Sequence, residues 1–436
     1  MTSLNDPFAR AVDALHRGKL SEAWAICDGL LARAVVNLRI LTSAADAAWQ
    51  KRCPSTYDFD EAYENDLAGS SVLLQVAFVH AILGDPDGAE RCLERVLLTD
   101  AALPADLFRA QVLLGELATR RGLVDRAESC FAEAARMNPG HGGPFSRRSV
   151  LLLRSQWGVR PTPPAKTQTT RSERRVQMTA LGECGRFGNQ LFQYGFVRSY
   201  GHEHDLSVQV PDWIGRYLFD LDDPFPDGEL PIVYERGCNL VASLLRETPE
   251  VFAECDLAGY LAHPTRCFAP HKDLFRTLFR PGRMAGDHVG GALERLRSMG
   301  KTVVAIHIRH GDFGQGAFWV APSAWYLNWL GEIWSRLQSP VLFVATDDPS
   351  ALRDFAAYAP VTSDDLATPL VGAEFYTDFH ILSQADYLAI SNSTFSLMAS
   401  MLNEWANTFV RPEPLHERLV PFDPWDTEIF LKKPES

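Results

Sequence analysis

The sequence predicts an α/β region preceded by an all-helical repeat region, and three observations carry that reading. Residues 1 to about 150 are rich in Ala, Leu, Arg and Glu at helical spacing, with few β-branched runs. Residues 155–177, "SQWGVRPTPPAKTQTTRSERRVQ", hold three prolines, four threonines and a cluster of arginines without periodicity, the composition of a linker. Beyond them, short apolar runs alternate with amphipathic stretches, the pattern of a parallel sheet covered by helices. A chain of 436 residues is too long for one ordinary core, which fits this division.

The helical half repeats itself. "RGKLSEAWAICDGLLAR" places Gly18 five residues before Ala23, "GDPDGAERCLERVLLTD" places Gly84 before Ala89, and "GLVDRAESCFAEAARMNPG" places Gly122 before Ala127. A degenerate copy lies around Ala62, and Asn138-Pro139 closes the last unit. Each unit reads as helix, turn and helix, with a small alanine where two helices approach closely. This resembles tetratricopeptide-type repeats; an unrelated helical bundle is the alternative.

Composition narrows the function. The chain is 46% hydrophobic and 22% charged, with no apolar stretch of about 18 residues to span a bilayer. Asp6, Arg10, Asp13 and Arg17 interrupt the region where a signal peptide needs apolar residues, so a cytoplasmic location is expected, with peripheral membrane association left open. A net charge of −13 argues against a nucleic-acid partner. Eight scattered cysteines without a CxxC pair read as buried thiols rather than a zinc site or disulfide framework.

In the second half, ligands of open α/β sheets are expected beyond strand carboxyl ends, against the next helix start. Four places fit. A short strand through Leu181 leads into Gly185-Arg186-Phe187-Gly188-Asn189-Gln190 and a helix from about Leu191. The strand Val303–Ile306 ends in His307, Ile308, Arg309, His310, Gly311 and Asp312, where alternation puts His307 and Arg309 on one face. A guanidinium there suits a phosphate pair, with Asp312 to hold it; a structural Arg–Asp pair is the alternative. Val341–Ala345 ends in Asp347-Asp348-Pro349, carboxylates for ribose hydroxyls or for capping. Tyr387–Ile390 ends in Ser391, Asn392, Ser393 and Thr394, hydroxyls and amides at a helix start. Asn392-Ser393-Thr394 also matches a glycosylation sequon.

These stretches resemble the fucosyltransferases that share an HxRxGD-type motif: the α-1,2 family, with the related α-1,6 and protein O-fucosyltransferases. "GRFGNQLFQYGF" is similar to the α-1,2 family's first loop, "HIRHGDF" to the arginine motif, "FVATDDPSAL" to the later acidic turn, and "DFHILSQADYLAISNSTFS" to the last donor motif. The resemblance covers residues 178 to about 410. It implies a GT-B-like two-lobed glycosyltransferase, with residues 178–298 as the acceptor-side lobe and 299–436 as the nucleotide-sugar lobe, after helical repeats at 1–150 and a linker at 151–177. The implied reaction is inverting transfer from GDP-fucose to a glycan or glycoconjugate hydroxyl with α-1,2 linkage. Arg309 would contact the diphosphate and Ser391, Ser393 and Thr394 would hold its oxygens. Asp378 would read the guanine edge near His307, and Gly188 and Asn189 would close over the donor. Where relatives often carry a second arginine, this chain has His310.

Charge building on the departing diphosphate can be met by Arg309 and amide donors, so no cofactor or metal is expected. Asp220-Leu221-Asp222 matches a metal-binding DxD pattern but reads as a solvated loop. Phe318, Trp319 and Tyr326, with Phe313 and Trp325, are candidates to stack on the acceptor sugar or simply to pack the core. Two competing readings remain: a protein O-fucosyltransferase or another nucleotide-sugar transferase of the same fold, and a helical scaffold with a non-catalytic nucleotide-binding module. The repeats are expected to recruit a protein partner.

Overall fold

The computed structural model describes residues 70, 73–74, 77, 80–81, 85–98, 102–158, 174–236, 238–311, 314 and 318–432. They fall into two compact units divided between Asn138 and Pro139.

The first unit is helical. Helices α1 (Pro86–Leu97), α2 (Pro104–Arg120) and α3 (Val124–Met137) follow one another with short turns. Asp85 caps α1 by accepting from the Gly88 N–H at 2.9 Å, and Pro86 and Pro104 occupy first-turn positions that need no donor. Gly122 turns the chain with φ +71°, and Ala89 and Ala127 are fully buried, as the repeat pattern requires of its small residues. Arg121 pairs with Glu90 at 2.6 Å and Arg126 with Glu94 at 2.8 Å. The units expected around Gly18 and Ala62 lie outside the described residues.

The second unit begins earlier than expected. Helix α4 (Gly142–Trp157), assigned from sequence to the repeats, belongs to it. Its Leu-rich, Arg-rich pattern is that of any amphipathic helix, and only its packing partners place it. The stretch at 159–173 lies outside the described residues.

Two parallel sheets follow. Strands β1 (Arg175–Gln177), β2 (Ser207–Gln209), β3 (Ile232–Tyr234) and β4 (Cys255–Ala258) form the first, in the order β2-β1-β4-β3, with helix α5 (Phe187–Glu203) connecting β1 to β2. After helix α6 (Arg283–Met299), the second sheet runs β6-β5-β7-β8-β9. Its strands are β5 (Thr302–Ile308), β6 (Pro340–Thr346), β7 (Tyr387–Ala389), β8 (Thr408–Glu413) and β9 (Arg418–Pro421), the last antiparallel. Helix α7 (Ser323–Ile333) lies between β5 and β6, α8 (Tyr376–Leu382) before β7, and α9 (Thr394–Leu402) after it. This is the two-lobed α/β architecture the sequence led us to expect. Because β6 and β7 flank β5 on opposite sides, the order reverses there, and a crevice opens beyond its carboxyl end.

Alternation along β5 sorts the two cores. Val303 and Ala305 face the large core shared with α5 and α9, while Val304, Ile306 and Ile308 face a second core under α7. The terminal segment returns to the first lobe, where the Thr265 N–H donates to the Thr427 carbonyl at 2.8 Å.

Candidate functional site

A cleft of about 780 Å³ lies between the lobes, lined from one by the start of α5 and Tyr260, and from the other by the ends of β5 and β6 and the starts of α8 and α9. Its size is that of a ligand pocket for a cofactor-sized molecule. His307, Arg309, Asp347, Asp378, Ser393, Thr394, Gly188, Asn189 and Phe318, all singled out from sequence, line it together. Four stretches far apart in the chain thus meet in one place.

Arg309 stands just past β5 and forms an ion pair with Asp347 at the end of the neighbouring strand β6. Asp347 also accepts the His310 N–H at 2.8 Å, so the carboxylate anchors both the guanidinium and the backbone that carries it. The expected orienting residue, Asp312, lies outside the described residues, as does Phe313. Asp348 turns away: its carboxylate takes the Ser350 N–H at 2.9 Å and the His310 ring at 2.8 Å, capping a 3-10 helix (Pro349–Tyr358). These bonds hold its pKa down at about 2, and it does not line the cleft.

His307 is buried, 2.8 Å from the Ser391 hydroxyl across the β5–β7 junction, with its ring 5.2 Å from that of Phe395. Burial, then the Arg309 charge, push its pKa down to about 3, so it is a neutral imidazole at ordinary pH. Ser391 therefore positions His307 and does not itself line the cleft.

Two helix starts converge beside Arg309. Gly188, in the first turn of α5, sits so close to the start of α9 that a Cβ would lie 2.5 Å from the Phe395 nitrogen. The expected glycine loop is thus helix from Phe187 onward, α5 beginning there rather than near Leu191. Ser393 caps α9, accepting from the Phe395 N–H at 3.3 Å. The positive ends of both helix dipoles and Arg309 face the cleft together, a set of donors suited to an anion, among the carboxylates of Asp347, Asp364, Glu374 and Asp378. Arg186, overlooked within a loop quoted for its glycines, lines the same wall.

Asp378 occupies the first turn of α8 and accepts a hydrogen bond from Ser363. Its Oδ1 is buried without a hydrogen-bond partner. Burial first, with the neighbouring Asp364 charge adding to it, pushes the pKa up to about 7. Such an orphan acceptor beside a cleft is suited to a ligand that brings an N–H donor. Ser363 and Asp364 carry no motif and were not foreseen.

Trp319 and Tyr326 do not reach the cleft. Trp319 is 3% exposed and donates its indole N–H to the Leu431 carbonyl at 2.7 Å; Tyr326 is 1% exposed and donates to the Ile390 carbonyl at 3.2 Å. Both pack on the Ile306 face of β5, opposite His307, so strand parity rules them out as stacking residues for a sugar. Phe318, 48% exposed, does face the cleft, its ring 5.3 Å from that of Phe430. Asn392 is buried and clamps the terminal segment, accepting the Leu431 N–H at 2.9 Å and donating back at 3.0 Å, a structural use of the sequon's asparagine in the folded chain. Asp220, of the DxD pattern, accepts the Arg283 N–H at 2.7 Å, a structural use. Among the described residues, no group of three or more His, Cys, Asp or Glu is placed to hold a metal, and no helix is long and apolar enough to cross a membrane.

No protein-family model matches this chain, nor does any curated protein. Among solved structures the chain is similar to an α-1,6-fucosyltransferase, NodZ, soaked with GDP-fucose, at 14% identity and a TM-score of 0.37, over 58% of this chain and 99% of that one. The fucosyltransferase NodZ from Bradyrhizobium gives 13% and 0.37 over the same shares. A tetratricopeptide protein with an unusual peptide-binding site, YrrB, gives 19% and 0.20, over 35% of this chain and 78% of that one. At TM-scores this low the likenesses say nothing by themselves about what the chain binds.

Proposed function

We propose that this chain is an inverting fucosyltransferase that moves fucose from GDP-fucose to a glycan hydroxyl, forming an α-1,2 linkage. One observation carries the reading: a guanidinium, two helix starts and a carboxylate with one buried, unpartnered oxygen share a single cleft. The first three suit a diphosphate, and the carboxylate suits the paired N–H donors of a guanine edge. The fucose, the acceptor and the linkage rest on the sequence resemblance.

In the proposed reaction the acceptor hydroxyl oxygen bonds to the sugar's anomeric carbon as the bond from that carbon to the β-phosphate oxygen breaks. The electron pair of that bond leaves with the diphosphate. Arg309, held by Asp347, and the amides that open α5 and α9 bind this growing charge more tightly than the ground state, which is what lowers the barrier. They supply the counter-charge a metal would otherwise bring. The hydroxyl proton passes to solvent water once bond formation is under way, so no strong base is needed.

Replacing Arg309 by Ala should lower kcat/KM for GDP-fucose by about two orders of magnitude, with Arg309→Lys recovering only part of it. The direct check is a donor screen of GDP-fucose, GDP-mannose and UDP-sugars with mass detection of the product. An Arg309→Ala protein as active as wild type would sink the assignment, and transfer from a UDP-sugar alone would replace the guanine reading.

A further inference from the structure

Helix α4 reaches the cleft from upstream of the segment expected to join the two halves, and no role discussed so far uses it. Its approach lines the cleft through Gly140 and Phe145. Packing fixes it there from both lobes. Gly142 lies so close to the Gly185 carbonyl that a Cβ would collide with it, and Arg147 pairs with Glu183 at 2.8 Å. On the other side, Gln156 donates to the Val371 carbonyl at 3.0 Å, and the Phe145 ring lies 5.6 Å from that of Phe375.

Phe375 stands at the N-cap of α8, three residues before Asp378, so the two share a face of that turn, and both line the cleft. Phe379, a neighbouring ring that does not line the cleft, is 2% exposed, and Phe187, which does line it, is equally buried at 2%. Phe145 is instead half-buried, a ring held in place by the backbone around it with surface left toward the cleft. A planar base whose edge donates to the orphan Asp378 oxygen would lie beside these two rings.

We infer that Phe145, with Phe375, forms the stacking wall for the donor's purine base, so that nucleotide recognition depends on a helix encoded ahead of the linker. This rests on the guanine nucleotide reading above. Aromatic stacking on a base is sequence-tolerant and geometry-dependent, so Phe145 would set affinity while Asp378 sets which base is accepted.

The test is calorimetric titration of GDP into the full chain, wild type against Phe145→Ala and Phe145→Tyr, with thermal melting of each. Loss of the ring should weaken GDP binding about ten-fold, and Phe145→Tyr should restore it. If the alanine protein melts early, Phe145→Leu, which keeps the bulk without the ring face, should show the same weakening at wild-type stability. Alanine or leucine variants that bind GDP within two-fold of wild type would overturn the stacking wall alone. Failure of the wild type to bind GDP at all would overturn the guanine reading on which it rests.

Discussion

Asp378 is the most informative residue of the site. An acid whose folded pKa is raised to about 7 binds a proton in the native state that the unfolded chain has already released. The stability it lends is therefore present below the usual carboxylate range and lost as pH rises through about 7. For a ligand that donates to the ionised carboxylate the dependence runs the other way. At pH 6 only about a tenth of the carboxylate is charged, so GDP should bind roughly ten-fold more weakly there than at pH 8. Asp378→Asn should bind weakly at both pH values and lose this dependence, and titration of GDP into both proteins checks it; the nucleotide's own phosphate titration is common to the two and cancels in their ratio. A wild-type profile parallel to that of the asparagine variant would remove Asp378 from the base edge.

The elements matter through where they meet. Gly188→Ala should force the starts of α5 and α9 apart, since the added Cβ meets backbone that cannot swing aside. The expected cost is about 1–3 kcal/mol of stability, with a parallel loss of GDP affinity, read by thermal melting and titration. An alanine protein with unchanged melting and affinity would show that the junction is loose. How much of this was legible differs by element. Strand β5 was, because a run of β-branched residues ending in His307 and Arg309 fixes both the strand and, by alternation, the shared face of those two side chains. The facing of α7 was not: whether Tyr326 meets the cleft or the core depends on which side of the sheet its helix covers, and that is decided by the order β6-β5-β7 rather than by local pattern. Asp347 rather than Asp312 as a visible partner of Arg309 likewise follows from β5 and β6 being neighbours, 38 residues apart in sequence between Arg309 and Asp347. Asp378 stood out in sequence only by resemblance, since its raised pKa comes from burial in the folded chain and from Asp364, which is distant in sequence.

At the scale of the whole molecule, three histidines shielded from solvent, His307 buried and His141 and His380 half-buried, shape how the fold answers acid. His141, His307 and His380 are held down to about 4, 3 and 4, each chiefly by burial. The native state thus binds fewer protons than the unfolded chain from about pH 6.5 down to those values, and stability is lost as pH falls through that window. Asp378 opposes with a single proton. Lowering the pH from 7 to 5 should therefore reduce stability by on the order of 1 kcal/mol per pH unit, seen as a lower urea midpoint. A midpoint that holds steady or rises would contradict the neutral state of these rings. The placement of α4 in the second unit bears on how such a chain can be rearranged over time. Recombination upstream of Asn138 can lengthen, shorten or exchange the repeat array while leaving every wall of the cleft intact. A junction anywhere downstream of Pro139 cuts into the pocket itself, so the portable module ends before the composition changes.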